Sequence, residues 1–282
     1  MPERVHPTAL VDPKATLGAG VRIGAFSVVG PEVTIGADAE IGHHCVFEGR
    51  VEIGERAKVG HGSLLGGRPQ DLKYRDGTLS GVRIGADTAI REYVTIHRAT
   101  SAGGWTEIGK ECLLMVTSHV AHDCRVGDGA IIINGAAISG HCEIGERATI
   151  GAFVGLVPFT RIGAYAYVGG LSRVNADVPS YVLVEGNPAT AHGINIVGLR
   201  RAGIAAADRR LLQDAYRLLY RSGLSPQRAV ERIRQELPAA APVIALLDFI
   251  AGSRRGICGA ARPGRSALGG ESLVPRPESE PV

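Results

Sequence analysis

The residues best suited to chemistry cluster near the middle of the 282-residue chain. Ser118-His119-Val120-Ala121-His122-Asp123-Cys124 puts two imidazoles beside a carboxylate, and Ile138-Ser139-Gly140-His141 adds a glycine and a third imidazole. His97 comes from an earlier segment. An imidazole titrates near neutrality, so it takes up and returns a proton at ordinary pH. A glycine N–H beside it suits an oxygen on which negative charge develops. A solvated surface histidine is the ordinary reading of any single member, and convergence of the set is what favours function. Ser139 lacks the partners of a nucleophile, and no GxGxxG, phosphate-binding loop or GxSxG elbow occurs.

These residues sit on a repeat. An aliphatic residue recurs every sixth position, from Val11, Leu17 and Ile23 to Val59 and Leu65. After a break the phase resumes at Ile84, Ile90 and Ile96, skips a step, and runs from Ile108 to Val174. The next residue is very often Gly, as at Gly36, Gly54, Gly109, Gly127 and Gly145. A period of six fits neither an α-helix nor a simple amphipathic strand, but it matches the hexapeptide β-helix. Three hexads close a triangular coil, with the aliphatics stacked inside and glycine expected at the corners. His122 and Gly140 are three hexads apart, so they occupy equivalent places in successive coils. An N–H near Gly140 then lies one coil spacing, roughly 4.8 Å, from the His122 imidazole.

Residues 1–190 are thus read as a parallel β-helix solenoid with insertions at about 66–81 and 99–106. The first carries Gln70-Asp71-Leu72-Lys73-Tyr74, and the second carries Trp105, expected to pack on a neighbouring coil or subunit. Solenoid insertions become outer loops, often on the binding face. Periodicity ends near Pro179, and Asn187-Pro188 marks a turn. Residues 191–255 read as a helical region. One helix starts near Ala205 and stops at Gly223, a second is capped by Ser225-Pro226, and a third covers Val243 to Ile250. The composition of 256–282 predicts a tail without fixed structure.

Composition narrows the function classes. Gly is abundant, at 39 residues, and aromatics make up only 5%, which suits a tightly wound repeat. A net charge of +3 without a basic run gives no case for nucleic acid. No apolar stretch predicts stable membrane insertion, and the N-terminal residues do not resemble a signal peptide. Cys45, Cys112, Cys124, Cys142 and Cys258 form no CxxC pair, which predicts buried thiols and a reducing, cytoplasmic setting.

Gln70-Asp71-Leu72-Lys73-Tyr74, Thr95-Ile96-His97-Arg98, His119 to Cys124, Gly186-Asn187-Pro188 and Gly193-Ile194-Asn195-Ile196 together resemble the acyl-[acyl-carrier-protein]–UDP-N-acetylglucosamine O-acyltransferases of lipid A biosynthesis. The resemblance runs from about His6 to Gly256. It implies a left-handed parallel β-helix followed by a small α-helical C-terminal region, and a homotrimer with sites between neighbouring solenoids. It also implies transfer of a 3-hydroxyacyl chain from acyl carrier protein to the sugar 3-hydroxyl, with no cofactor or metal beyond the carrier's phosphopantetheine. His122 matches the family's catalytic base, Asp123 its orienting carboxylate and Gly140 its backbone oxyanion donor. Gln70, Asp71, Lys73, His97, His119 and His141 match residues around the sugar and acyl group. Asn195 and Arg201 match positions near the nucleotide, and Gly170 matches a position that limits acyl length. Arg200, Arg201, Arg209, Arg210, Arg217 and Arg221 are a candidate landing surface for the acidic carrier.

The chain departs from the family at Val157-Pro158, where a His-Gln pair is usual, and at Val197 and Ala202 near the nucleotide. Three alternatives follow: an N-acyltransferase for a UDP-3-amino sugar, a zinc lyase like the gamma-class carbonic anhydrases using His97, His119 or His141, and a non-catalytic solenoid scaffold.

Overall fold

A computed structural model describes residues 4–261. The chain winds into a three-sided coil of very short parallel strands. The first face stacks nine strands, from Leu10–Val11 to Arg173–Val174, and the second stacks eight, from Thr16–Leu17 to Arg161–Ile162. The third stacks ten, from Arg22–Ile23 to the hairpin of Val182–Gly186 and Ala189–Ile194. Regular coils repeat every three hexads, as in His119↔Ala137 and Ala137↔Gly155. The step widens at Arg50↔Gly81 and at Thr95↔His119, where the insertions enter.

The hexad explains these elements. Its aliphatic residue points inward on a two-residue strand and stacks on its equivalent in the next coil, as in Ile108↔Val126 and Val126↔Ile144. Ile84, Ile90, Ile96, Ile132, Ile138 and Ile150 are among the largest fully buried side chains. Truncating one to alanine costs about 2–5 kcal/mol. The corner expectation holds in that a Cβ at the glycine would be costly, but the turn itself is made elsewhere. The glycine after the aliphatic does not carry the left-handed turn. That conformation falls two places later, mostly on non-glycine residues such as Arg147 (φ 51°), and at some corners on a second glycine such as Gly129 (φ 65°). The glycine answers to close approach instead: a Cβ on Gly127 would lie 2.6 Å from the Glu146 nitrogen.

Both insertions join the first face to the second. They are shorter than expected: the structure extends one strand through Gly67 and begins the next at Gly81, and Trp105 opens the strand Trp105–Ile108. Trp105 packs on its own neighbouring coils, with the guanidiniums of Arg50 and Arg83 at 4.4 and 4.2 Å from its ring.

The boundary expected at 190 moves, because the solenoid's third face continues through Ile194. The short helix α1 (Ile196–Arg201), not foreseen from the pattern, follows at once, capped by Asn195 Oδ1 accepting from the Gly198 N–H at 3.0 Å. Helices α2 (Ala206–Tyr220), α3 (Pro226–Glu236) and α4 (Ala241–Ala251) complete the region, with Ser225 capping α3. The first six residues of the tail expected from 256 have a fixed place. Residues 256–261 return to the solenoid through Ile257 on Asp177 and Ala260 on Ala191. The remainder of that stretch, 262–282, lies outside the described residues.

Candidate active site

The corner between the first and second faces holds the site. Asp123 takes the left-handed corner conformation (φ 58°), so its side chain turns back toward its predecessor. His122 Nδ1 and Asp123 Oδ2 lie 2.8 Å apart, with both side chains largely buried. Thr100, on the second insertion, donates its hydroxyl to the same Asp123 oxygen at 2.7 Å, and the Asp123 N–H donates to Thr106 Oγ1 at 2.9 Å. Burial pushes the Asp123 carboxyl up. Hydrogen bonds from His122 and Thr100 outweigh that and hold it below the usual carboxylate value. Asp123 is therefore ionised at neutral pH and accepts a hydrogen bond from Nδ1–H, which leaves Nε2 of His122 bare to act as a base.

Gly140 lies directly under that ring. A Cβ on Gly140 would stand 2.5 Å from His122 Cε1 and 2.7 Å from Nε2. Only glycine leaves room for the imidazole here. The Gly140 N–H has no acceptor among the described residues. His141 is T-shaped to His122 at 5.1 Å and stacks on Phe159 at 4.5 Å, and its Nε2 lies 3.7 Å from Asp123 Oδ2. The spacing argument that gave Gly140 reaches Phe159 too, since it lies three hexads beyond His141. Thr100 had no such signal, because an insertion carries no coil phase.

His97 and His119 form a second pair on the first face, T-shaped at 4.7 Å. His119 Nδ1 lies 2.7 Å from Thr95 Oγ1. Burial lowers the pKa of His119 against the opposing hydrogen bonding of Thr95, and that of His97 to about 4, with the charges of His119, His122 and Arg98 adding to the effect. His97 Nδ1 is buried without a hydrogen-bond partner among the described residues. Of the side chains weighed for zinc, His141 converges with His122, while His97 and His119 do not join it. Among the described residues the group close enough to share an ion is His122, Asp123 and His141.

The remaining expected residues divide. Gln70, Asp71 and Lys73 lie on the first insertion, which leaves from the same corner as His122, and Asp71 Oδ1 accepts from the Lys73 N–H at 2.7 Å. Gly170 lies at the corner between the third and first faces, exposed. Asn195 is anchored at the corner between the second and third faces, where its Nδ2 donates to the Tyr165 carbonyl at 2.9 Å. Arg201 ends α1 nearby. One chain therefore does not bring Asn195, Arg201 and Gly170 to His122. Of the six candidate carrier-binding arginines, Arg217 pairs with Asp214 at 2.7 Å, while Arg209 and Arg221 donate to the carbonyls of Ile204 and Ala261.

Comparison with known proteins finds both the repeat and the C-terminal region. Residues 14–49 and 32–67 match the family described as bacterial transferase hexapeptide (six repeats). Residues 177–258 match the second domain of the UDP-N-acetylglucosamine O-acyltransferases. The acyl-[acyl-carrier-protein]–UDP-N-acetylglucosamine O-acyltransferase of Alkalilimnicola ehrlichii is 51% identical over 255 residues, covering 90% of this chain and 98% of that protein. The enzyme of the same description from Burkholderia orbicola is 47% identical over 259 residues, with the same coverage. LpxA from Acinetobacter baumannii superposes with a TM-score of 0.86 at 39% identity, covering 91% of this chain and all of that one. UDP-N-acetylglucosamine acyltransferase of Francisella novicida gives 0.88 at 31% identity over 98% of this chain and all of that one. The coil is thus the left-handed parallel β-helix that the resemblance implied. With identity near one half along nine-tenths of its length, and His122, Asp123 and Gly140 meeting at one corner, the chain belongs to the acyl-[acyl-carrier-protein]–UDP-N-acetylglucosamine O-acyltransferase family.

Proposed function

We propose that this chain transfers a 3-hydroxyacyl group from acyl carrier protein to the 3-hydroxyl of UDP-N-acetylglucosamine, the first step of lipid A biosynthesis. The observation that carries the reading is the His122 imidazole lying over Gly140 with Nδ1 tied to Asp123. Nε2 takes the proton of the sugar hydroxyl as that oxygen bonds to the thioester carbon. The carbonyl oxygen becomes an oxyanion, which the Gly140 N–H stabilises. The C–S bond then breaks, the sulfur leaves as thiolate, and the imidazolium returns the proton to it. A thioester is already activated, so positioning and charge stabilisation suffice without metal or cofactor. Chelation with EDTA is expected to leave turnover intact.

His97 Nδ1, the unsatisfied buried nitrogen, and His119, His141, Gln70, Asp71 and Lys73 are assigned to the sugar and acyl groups. Asn195 and Arg201 serve the nucleotide from a neighbouring subunit of a homotrimer. Their placement at another corner supports this, as do Phe26, Tyr93, Phe153 and Leu171, exposed apolar residues along one edge. Gly170 leaves space for the acyl chain. Among the described residues no helix is long and apolar enough to cross a membrane, and the reaction is assigned to the cytoplasm, where both substrates are soluble.

The test is an assay of purified protein with UDP-N-acetylglucosamine and 3-hydroxyacyl carrier protein, with the 3-amino sugar alongside. Turnover of the hydroxyl sugar is expected. Turnover of the amino sugar alone moves the function to N-acylation, for which Val157-Pro158 is the motivating departure. Docking of the carrier on the arginines of α1 and α2 predicts a rate that falls with added salt, and a salt-insensitive rate removes that surface.

A further inference from the structure

One coil beyond Gly140 the solenoid offers no polar side chain. Val157 and Pro158 stand there, and proline lacks even an N–H. The C-terminal segment brings cations to the same place. Arg255 Nη2 donates to the Pro158 carbonyl at 2.7 Å. Arg254 and Arg255 line a cavity of about 680 Å³ that also touches His141, Phe159 and Arg161.

The backbone under these arginines is fixed. Buried Asp177 accepts from the Ser253 hydroxyl at 2.7 Å, its N–H donates to the Gly256 carbonyl at 3.0 Å, and its carbonyl accepts from the Cys258 N–H at 2.8 Å. The other charges in the cavity are already engaged. Arg161 pairs with Glu143 at 2.9 Å and donates to the Gly252 carbonyl at 3.0 Å, and Asp177 also accepts from the Arg161 N–H at 2.9 Å. Arg254 and Arg255 form no ion pair with any described residue.

We infer that Arg255, with Arg254, binds the diphosphate of the nucleotide sugar beside Val157-Pro158, where the coil itself offers no polar side chain. This rests on the acyltransferase reading. Two coil spacings put Pro158 about 10 Å from His122 along the stack. The reacting hydroxyl must touch His122, so a sugar laid along this corner carries its anomeric phosphate toward Pro158. The phosphate of a phosphopantetheine arm lies a whole extended arm from its thioester, which is too far. A guanidinium fork matches phosphate oxygens in charge and geometry.

The test is steady-state kinetics on the full chain and its Arg254→Ala/Arg255→Ala variant, varying each substrate in turn. Losing charged hydrogen bonds is expected to raise KM for UDP-N-acetylglucosamine roughly tenfold to a hundredfold. KM for the acyl carrier stays unchanged, and kcat falls by less than about threefold. Arg255→Lys recovers part of the loss. A rise confined to the carrier's KM overturns the assignment in favour of the pantetheine phosphate, and no rise in either overturns the site. Calorimetric binding of UDP-N-acetylglucosamine to both proteins makes the same comparison without turnover. A wild type that binds the nucleotide sugar but never turns over sinks the acyltransferase reading while the arginine comparison stays readable, and equal affinities sink the arginine site. If the double variant melts early, Arg254→Ala alone carries the test, because that side chain makes no hydrogen bond or ion pair with a described residue.

Discussion

Two corners of each coil share a backbone. After the first face, Asp123 and His141 turn with φ of 58° and 61°; after the second, Arg56 and Asp87 turn with 55° and 58°. Each corner holds a charged contact of similar length: His122 to Asp123 at 2.8 Å, and Arg56 to Asp87 at 2.8 and 2.7 Å. Their surroundings differ. The side chains of His122 and Asp123 are 12% and 14% exposed, against 53% and 43% for Arg56 and Asp87. Both insertions leave from the first corner, and Thr100 on one of them reaches Asp123. Water screens the second pair and is largely kept from the first. The winding repeats a potential site at every corner. The loops that exclude water, and the glycine one coil on, set the first corner apart from the second.

The largest effect should come from removing the base. His122→Ala is expected to lower kcat at least roughly a hundredfold and as much as about ten-thousandfold, and equal rates would end its assignment. Gly140→Ala should come next, because the new Cβ enters the space of the imidazole at 2.5 Å. Misplacing the base over the oxyanion donor predicts a loss of about a hundredfold to a thousandfold in kcat. Normal turnover in that variant would show that the ring does not work where it lies over the glycine.

Much of this was legible in the sequence because the repeat turns position into geometry. Equal phase gave the stacking of His122 on Gly140, and the same arithmetic applies to His141 and Phe159. It stops where phase is lost. Thr100 and Arg98 belong to the widened coil, so spacing says nothing of their partners. Alternation of strand side chains argues against adjacent His122 and Asp123 meeting, and only the left-handed φ of Asp123 brings them together. The hairpin through Ile194 escaped because its antiparallel register has no six-residue period. The return of 256–261 escaped because Gly- and Arg-rich composition suggested a loose end, whereas Asp177 ties that segment with two backbone bonds and holds Ser253 just before it through its side chain.

A smaller effect concerns stability and extends the contrast in burial. His97 is held at a pKa of about 4, first by burial and then by neighbouring positive charge, against 6.5 for a free imidazole. As pH falls from 6.5 toward 4, the unfolded chain binds a proton that the folded chain refuses. Stability is fully present above 6.5 and declines through that window, by on the order of 3 kcal/mol. Denaturant melts between pH 7 and 4 should therefore show a shallower decline for His97→Gln than for the wild type, and parallel curves would remove His97 as the cause.

The smallest effect tests the other side of the comparison. Arg56 and Asp87 make two short hydrogen bonds, and the pair raises the guanidinium's pKa and lowers the carboxyl's. Contact length alone would rank this pair with His122–Asp123. Exposure argues otherwise, since water solvates both groups nearly as well when they are apart and the long arginine side chain loses freedom on pairing. The double variant Arg56→Ala/Asp87→Ala should match the wild type in kcat, in both KM values and in melting temperature. A clear drop in melting temperature would mean that the coil draws stability from its exposed corners, and that burial does not separate the two corners as argued.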